Sequence, residues 1–95
     1  VRGTMPFERR VQVGSSSGLH ARPAAAFVRA AAAHPHRITI GRPDGPAVVA
    51  SSILSVLGLH VGYGEEVVLT AEDELAVDAL DELSALLGQD LDRED

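Results

Sequence analysis

The chain divides into short segments, each with the hydrophobic pattern of a strand or of a helix, and their order restricts the folds that it can adopt. Four segments have the alternating or short apolar patterns of strands, and three have the patterns of helices. The predicted strands cover residues 8–14, 37–40, 47–50 and 65–71, and the predicted helices cover 21–33, 53–57 and 73–87. The order βαββαβα within 95 residues predicts one α+β domain, in which helices cover one face of a mainly antiparallel sheet.

Turn and stop residues mark the limits of these segments. Arg42-Pro43-Asp44-Gly45-Pro46 predicts a hairpin between the second and third strands, because proline fixes φ and glycine permits a positive φ. Gly88 is expected just beyond the end of the last helix. The single domain is therefore expected to have its core at about residues 7–88, with flexible ends at 1–6 and 89–95.

The composition allows a modest aliphatic core and a site near the surface. Three aromatic residues and no tryptophan leave Val, Leu, Ile and Ala to fill the core. A domain of this size has little room for a deep cleft. The lack of cysteine excludes disulfides and cysteine-based zinc sites. No apolar run approaches the roughly 20 residues of a membrane span, and no signal-peptide pattern is present, so a cytoplasmic location is expected.

Charge is distributed unevenly along the chain. Residues 1–64 hold seven arginines and two acids, a balance of +5, whereas residues 65–95 hold one arginine and twelve acids, a balance of −11. The acidic total, with no lysine and no run of stacking aromatics, argues against binding of nucleic acid. The basic residues of the first part favour an acidic protein partner.

The segment Gly18-Leu19-His20-Ala21-Arg22-Pro23-Ala24-Ala25 concentrates groups that suit phosphate chemistry. The backbone N–H groups of a first helical turn lack partners within the helix and attract anions. Pro23 removes an N–H that would be unpaired in any case, and the guanidinium of Arg22 matches a phosphate. A histidine nucleophile here, His20, predicts a covalent phosphoryl carrier. From the motif alone, His20 as a helix cap or a plain surface residue stays an alternative.

This motif, the βαββαβα order and the chain length together resemble the HPr family, the histidine-containing phosphocarriers of the bacterial phosphoenolpyruvate-dependent sugar phosphotransferase system. The resemblance covers about residues 7–88 and is looser at Ser52–Leu57. It implies an open-faced β-sandwich, with a four-stranded antiparallel sheet and three helices on one face. It also implies that enzyme I phosphorylates His20 on Nδ1, that Arg22 contacts the phosphoryl group, and that IIA domains of sugar permeases accept the group. Such a protein is a monomeric, stoichiometric carrier without a cofactor rather than an enzyme of multiple turnovers.

Ser52, just before the second predicted helix, has two interpretations. The resemblance makes it the regulatory serine that some family members present to a dedicated kinase and phosphorylase, with the adjacent Ser51 as an alternative site. From the residues alone, a serine before a short apolar helix is an N-cap that contributes about 1 kcal/mol. Phosphate at a helix start is tolerated locally, so the effect of modification is expected on partner binding.

A partner surface is predicted around His20 on the first two helices. An apolar contact centre with a rim of arginine suits association with an acidic protein. The residues assigned to this surface are Ala25, Arg29, Leu54, Leu57 and Gly58. For each of the two leucines, burial in the core is an equally good interpretation.

The three other histidines are interpreted as surface residues rather than metal ligands. His34 and His36 bracket a proline with no acid nearby in sequence, and His60 follows the second helix. Three alternative functions stay open: a paralogue with the same chemistry in a nitrogen-related phosphotransfer chain, a regulatory module that docks to partner proteins, and a small hydrolase. The hydrolase is disfavoured because the sequence shows neither a base nor a water-excluding pocket.

Overall fold

The computed structural model describes residues 7–92 and contains the predicted order of elements. The strands are β1 (Phe7–Gln12), β2 (Thr39–Gly41), β3 (Ala47–Val49) and β4 (Glu66–Ala71). The helices are α1 (Ala21–Ala32), α2 (Ile53–Leu57) and α3 (Val77–Gly88), and a 3₁₀ turn at Glu74–Ala76 precedes α3. None of the helices in this part of the chain is long and apolar enough to cross a membrane. The expected flexibility of 1–6 and 93–95 falls outside the described residues.

The four strands form one antiparallel sheet in the order β1-β4-β2-β3. β1 pairs with β4 along its whole length, beginning with Phe7 opposite Ala71. β2 forms the predicted hairpin with β3 and also pairs with β4, so that Ile40 lies opposite Val48 on one side and Leu69 on the other. The two central strands, β4 and β2, therefore have both backbone edges paired.

One face of the sheet is covered by the helices and the other is open. The buried residues of β4 are Val67, Leu69 and Ala71. The alternation continues on β1, where Arg9 reaches Asp81 of α3 at 2.6 Å while Arg10 pairs on the open face with Glu66 at 3.3 Å. α3 contacts both β1 and β4, and α2 contacts β3. The predicted antiparallel sheet with three helices, an open-faced sandwich, is confirmed.

The core between helices and sheet is aliphatic around one buried aromatic ring, that of Phe27. α1 buries a stripe at helical spacing, formed by Pro23, Ala24, Phe27 and Ala31. α3 contributes Ala79, Leu80, Leu83 and Leu87. Each large side chain buried in this way stabilises the fold by about 1.5–3 kcal/mol, and α1 packs beside both α2 and α3.

α3 departs from its predicted limits at both ends. It is preceded by the 3₁₀ turn, which Asp73 caps by accepting a hydrogen bond from the N–H of Leu75 at 2.9 Å. The sequence predicts Gly88 beyond the helix, but Gly88 is the last helical residue and has no positive φ. Its carbonyl lies so close to Gly14 that a Cβ there would overlap it. Contact with the loop after β1 therefore sets the end of α3.

Residues 89–92, expected to be flexible, hydrogen-bond to the loop after β1. The buried Ser15 donates through its hydroxyl to the carbonyl of Gln89 at 3.3 Å and accepts from the N–H of Leu91 at 2.8 Å. Whether these residues are flexible stays a prediction, but in the structure their backbone is bonded to the loop. The hydroxyl of Ser15 lies 74 positions away from Gln89, so no local pattern in the sequence indicates this contact.

Candidate functional site

His20 lies at the junction between the loop after β1 and α1. Its backbone is extended, with φ of −135° and ψ of 166°, and it occupies the N-cap position of α1. The imidazole makes no capping hydrogen bond, and the residue as a whole is half-buried. His20 is therefore the N-cap of α1 by position but does not cap the helix through its side chain, and the catalytic role predicted for its ring stays a prediction.

The chain turns sharply between His20 and Arg22. Ala21 has a φ of 49°, in the left-handed region that costs a non-glycine residue about 1–2 kcal/mol. The first helical turn closes behind it, since the N–H of Ala24 donates to the carbonyl of His20 at 3.3 Å. The exposed Arg22 follows directly, so this turn determines where the guanidinium leaves the helix relative to the imidazole.

The loop that leads into His20 is fixed to the segment after α2. Leu19 is buried, and its N–H donates to the carbonyl of Val61 at 2.9 Å. Gly18 has a φ of 78° and packs so closely that a Cβ would lie 2.7 Å from the same carbonyl oxygen. Glycine is therefore required at position 18, and packed neighbours on both sides of His20 set its position.

The start of α1 is electropositive. No acidic residue lies in its first turn, so the partial positive charge of the helix end is not neutralised from within the helix. Pro23 is buried in this turn and lacks an N–H, while Arg22 adds a full positive charge. The fold thus places both residues predicted to carry the chemistry, His20 and Arg22, at the positive end of one helix.

The predicted partner surface contains both exposed and packed residues. α1 and α2 contact each other, which puts the assigned positions on neighbouring helices. Leu54 is 79% exposed and is not a core residue. Leu57 is half-buried and packs against the core, so it belongs to the core in part. Ala25 is half-buried, and both Arg29 and Gly58 are exposed.

Two large exposed side chains near this surface were missed by the sequence analysis. Ile53 is 38% exposed at the start of α2, and Tyr63 is 68% exposed in the loop after that helix. The same loop holds Leu19 through the carbonyl of Val61. Ile53 directly precedes the exposed Leu54, and neighbouring exposed apolar side chains are typical of protein contact sites. The position of Ile53 beside Leu54 could have indicated it, whereas Tyr63 has no helical or strand pattern around it.

Ser52 is the N-cap of α2, as one of its two interpretations predicts. Its hydroxyl oxygen accepts from the N–H of Ser55 at 3.4 Å, and its hydroxyl donates to Oγ of Ser55 at 3.0 Å. The residue is half-buried, whereas Ser51 is exposed. The hydroxyl of Ser52 would have to leave Ser55 before it could react with a phosphoryl donor.

A carboxylate that the sequence analysis missed also reaches this site. Asp92 accepts hydrogen bonds from the loop residues Ser16 and Ser17, just upstream of His20. A separation of 75 positions between Ser17 and Asp92 leaves no local signal for the contact. The serines of this loop were the only sequence feature that indicated a group of hydrogen-bond donors there.

The other three histidines lie in different surroundings. His34 and His36 follow the far end of α1, where their ring nitrogens lie 3.3 Å and 3.6 Å from carboxylates of Glu82 and Asp73 respectively. The fold supplies these acids from the α3 region, although none is close in sequence. His60 is exposed and has a left-handed φ of 55°. Within residues 7–92, no three His, Asp or Glu side chains are grouped so that they could hold a metal ion.

Comparisons with known proteins identify the class to which this fold and site belong. Residues 7–89 match the family described as PTS HPr component phosphorylation site. The phosphocarrier protein HPr of Streptomyces coelicolor is 51% identical over 85 residues, which cover 90% of this chain and 91% of that protein. The HPr-like protein Crh of Bacillus subtilis is 36% identical over 88% of this chain and 98% of its own length.

A solved structure agrees with these sequence matches. The crystal structure of HPr from Bacillus anthracis superposes with a TM-score of 0.80 at 39% identity, covering 86% of this chain and 96% of that one. The chain therefore belongs to the HPr family of phosphocarrier proteins.

Proposed function

We propose that this protein carries a phosphoryl group on His20, accepts it from phosphorylated enzyme I and passes it to IIA domains of sugar permeases. One observation carries the proposal: His20 is the N-cap of α1, its imidazole makes no capping hydrogen bond, and Arg22 follows two residues later. The chain belongs to the HPr family. The protein acts in the cytoplasm as a monomer without a cofactor.

The transfer step forms a phosphorus–nitrogen bond on His20. A ring nitrogen of neutral His20, Nδ1 in the family pattern, attacks the phosphorus through its lone pair. The bond between phosphorus and the donor atom of enzyme I breaks, and its electron pair goes to that donor. No general base is needed to create the nucleophile, because neutral imidazole already has a lone pair. A carrier requires this step to be reversible, so that the group can leave His20 again.

The residues around His20 support the product of this step. A phosphoryl dianion is stabilised by the positive end of α1 and by charge-assisted hydrogen bonds from Arg22. Transition states of phosphoryl transfer depend mainly on positioning and charge, much of which the partner protein can supply. One protein therefore carries one group per encounter and does not turn over a substrate alone.

Partners bind to the surface of α1 and α2 around His20. The exposed Leu54 and part of Leu57 form its apolar centre, beside Ala25 and Gly58, and Arg29 lies at its charged rim. Such a surface attracts an acidic partner over a distance and buries a small apolar centre on contact.

We further propose that Ser52 is modified by a serine kinase where the organism has one. Its place at the start of α2, two residues before the exposed Leu54, supports an effect on partner binding. Phosphate at a helix start is locally favourable. A new negative charge beside the docking surface repels acidic partners, so the modification lowers the transfer rate without unfolding the domain.

Intact mass after incubation with enzyme I, Mg²⁺ and phosphoenolpyruvate tests the proposal. One acid-labile phosphoryl group is expected on the wild type and none on His20→Ala. His60→Asn is a matched control, since it removes a histidine outside the motif while asparagine tolerates the left-handed backbone at that position. Full phosphorylation of His20→Ala would remove the assignment.

A regulatory docking module is the second candidate, favoured by the similarity to the HPr-like protein Crh. A nitrogen-related phosphotransfer chain is a further variant of the carrier function. The two carriers are separated by rates with the sugar-type and nitrogen-type forms of enzyme I. A docking module would accept no phosphoryl group from either form, although the same protein would still bind a regulatory partner.

A further inference from the structure

The segment 89–92 folds back onto the loop that leads into His20. The buried hydroxyl of Ser15 bridges the carbonyl of Gln89 and the N–H of Leu91, at 3.3 Å and 2.8 Å. The next residue, Asp92, is thereby held against the exposed part of the loop. Sequence-distant groups thus meet at the loop that precedes the candidate nucleophile.

One carboxylate oxygen of Asp92 collects three donors from this loop. Oδ2 accepts from the N–H of Ser17 at 2.8 Å, from the hydroxyl of Ser17 at 2.8 Å and from the hydroxyl of Ser16 at 3.2 Å. The N–H of Ser16 donates to Asp90 at 3.3 Å. Backbone and hydroxyl donors converging on one oxygen are what a phosphoryl oxygen also requires.

Arg22 links this contact to the transfer site. The N–H and then the hydroxyl of Ser17 lower the pKa of Asp92 from its ordinary 3.8, with smaller contributions from the hydroxyl of Ser16 and the charge of Arg22, while burial opposes them. Asp92 is therefore ionised at neutral pH. Its negative charge interacts with the same guanidinium that the proposed function assigns to the phosphoryl group.

We propose that Asp92 is an internal competitor of the phosphoryl group on His20. Phosphorylation of His20 then weakens the hydrogen bonds between the segment 89–92 and the loop. This inference rests on the proposed function, since it concerns the same histidine. A phosphoryl dianion on His20 and the carboxylate of Asp92 repel each other, and both are attracted to the guanidinium of Arg22. The unphosphorylated protein is thereby stabilised relative to the phosphorylated protein.

The competition acts equally in both directions. If Asp92 weakens phosphorylation of His20 by some factor, phosphorylation must weaken the contact of Asp92 by the same factor. The donors Ser16 and Ser17 are exposed, so the expected coupling is modest, about two- to fivefold, the range of exposed charged contacts. It falls with added salt, because exposed charges are screened.

Chemical phosphorylation of the full chain with phosphoramidate tests the competition without any partner protein. In this reaction a His20 nitrogen–phosphorus bond forms, the phosphorus–nitrogen bond of phosphoramidate breaks, and ammonia leaves. The rate is followed by the mass of the His20 peptide in the wild type, Asp92→Asn and Asp78→Asn. Asp78 is an exposed acid in the first turn of α3, about 15 Å along the helix from its end, so its variant matches the loss of charge at a distance from the site.

The expected result is a two- to fivefold faster reaction of Asp92→Asn, with Asp78→Asn at the wild-type rate. Equal rates for Asp92→Asn and the wild type, a slower Asp92→Asn, or an equal gain in both variants would each overturn the competition. Hydrogen exchange at the amides of Ser17 and Leu91 measures the reverse effect, that of phosphorylation on the contact between the segment 89–92 and the loop. Both amides should exchange faster after phosphorylation. Unchanged exchange would also overturn it.

Failure of the proposed function has a different signature. In that case enzyme I transfers nothing to the wild type, while phosphoramidate still modifies His20 and the comparison of variants is unaffected. If enzyme I phosphorylates His20 and the variants react alike with phosphoramidate, the carrier function stands and the competition does not.

Discussion

At the scale of single residues, the left-handed Ala21 separates the two side chains on which the proposed transfer depends. Its φ of 49° turns the chain between the extended His20 and the helical Arg22. A neutral imidazole needs no base, and a phosphoryl dianion needs a cation. The proposed site thus combines one nucleophile, one permanent charge and the positive end of α1.

Arg22→Ala is expected to fold normally and to slow transfer to and from His20 by about ten- to a hundredfold. The reason is that an exposed side chain contributes little to the core, whereas a charge-assisted hydrogen bond to phosphate lowers the barrier by about 1.5–3 kcal/mol. Rapid-quench rates with enzyme I measure the effect, and circular dichroism checks the fold.

The control for Arg22 is Arg37→Ala. Arg37 is also exposed but follows the opposite end of α1, about 18 Å along the helix. Its loss changes the net charge equally and leaves the site intact. Equal slowing in both variants would show that only overall charge matters and would withdraw the role assigned to Arg22.

At the scale of elements, an ion pair between Arg42 and Glu65 holds the loop after α2 in place. Arg42 donates to both carboxylate oxygens of Glu65 at 3.2 Å and to the carbonyl of Leu59 at 3.1 Å. Glu65 also accepts from the N–H of Gly62 at 2.7 Å. This loop carries the carbonyl of Val61, which accepts a hydrogen bond from the N–H of Leu19. The ion pair therefore supports the position of His20 indirectly, through this hydrogen bond.

Stability is expected to fall in acid partly through Glu65. The hydrogen bonds from Arg42 and then from Gly62 lower the pKa of Glu65 below its ordinary value of 4.5, against a small rise from burial. A carboxyl whose pKa is lowered by folding contributes stability above its unfolded value, and this contribution is lost as the pH falls through the folded value. Urea unfolding at several pH values below about 7, followed by circular dichroism, measures this loss.

Glu65→Gln removes this titrating group, so the decline of its unfolding free energy with falling pH should be shallower than that of the wild type. Glu72→Gln is the matched control, because Glu72 is exposed on the segment after β4. Parallel pH profiles for the wild type and Glu65→Gln would contradict the role of the ion pair in stability.

At the scale of the whole molecule, local periodicity predicted the element order and long-range contacts decided the rest. The strands and helices were predictable because alternation and helical spacing are visible within a few residues. The 3₁₀ turn before α3 and the helical Gly88 were not, since they depend on Asp73 and on the close approach of Gly14. The position of His20 and Arg22 at the start of α1 was predictable from one short motif.

The contacts that join distant parts of the chain had no sequence signal. Asp92 beside Ser17, and the acids beside His34 and His36, come together only through the fold. Leu54 and Leu57 could not be assigned to surface or core, because a helix of five residues is too short for its periodicity to define a face. Packing against neighbouring elements made that decision.

The most direct test of the account is NMR of the protein labelled with nitrogen-15 at histidine, after phosphorylation by enzyme I. Coupling between phosphorus and a ring nitrogen identifies the atom that carries the group. We expect one coupled nitrogen, Nδ1 of His20, in a protein that keeps its fold. Phosphorus bound to His34, His36 or His60, or to a serine oxygen with His20 unchanged, would contradict it.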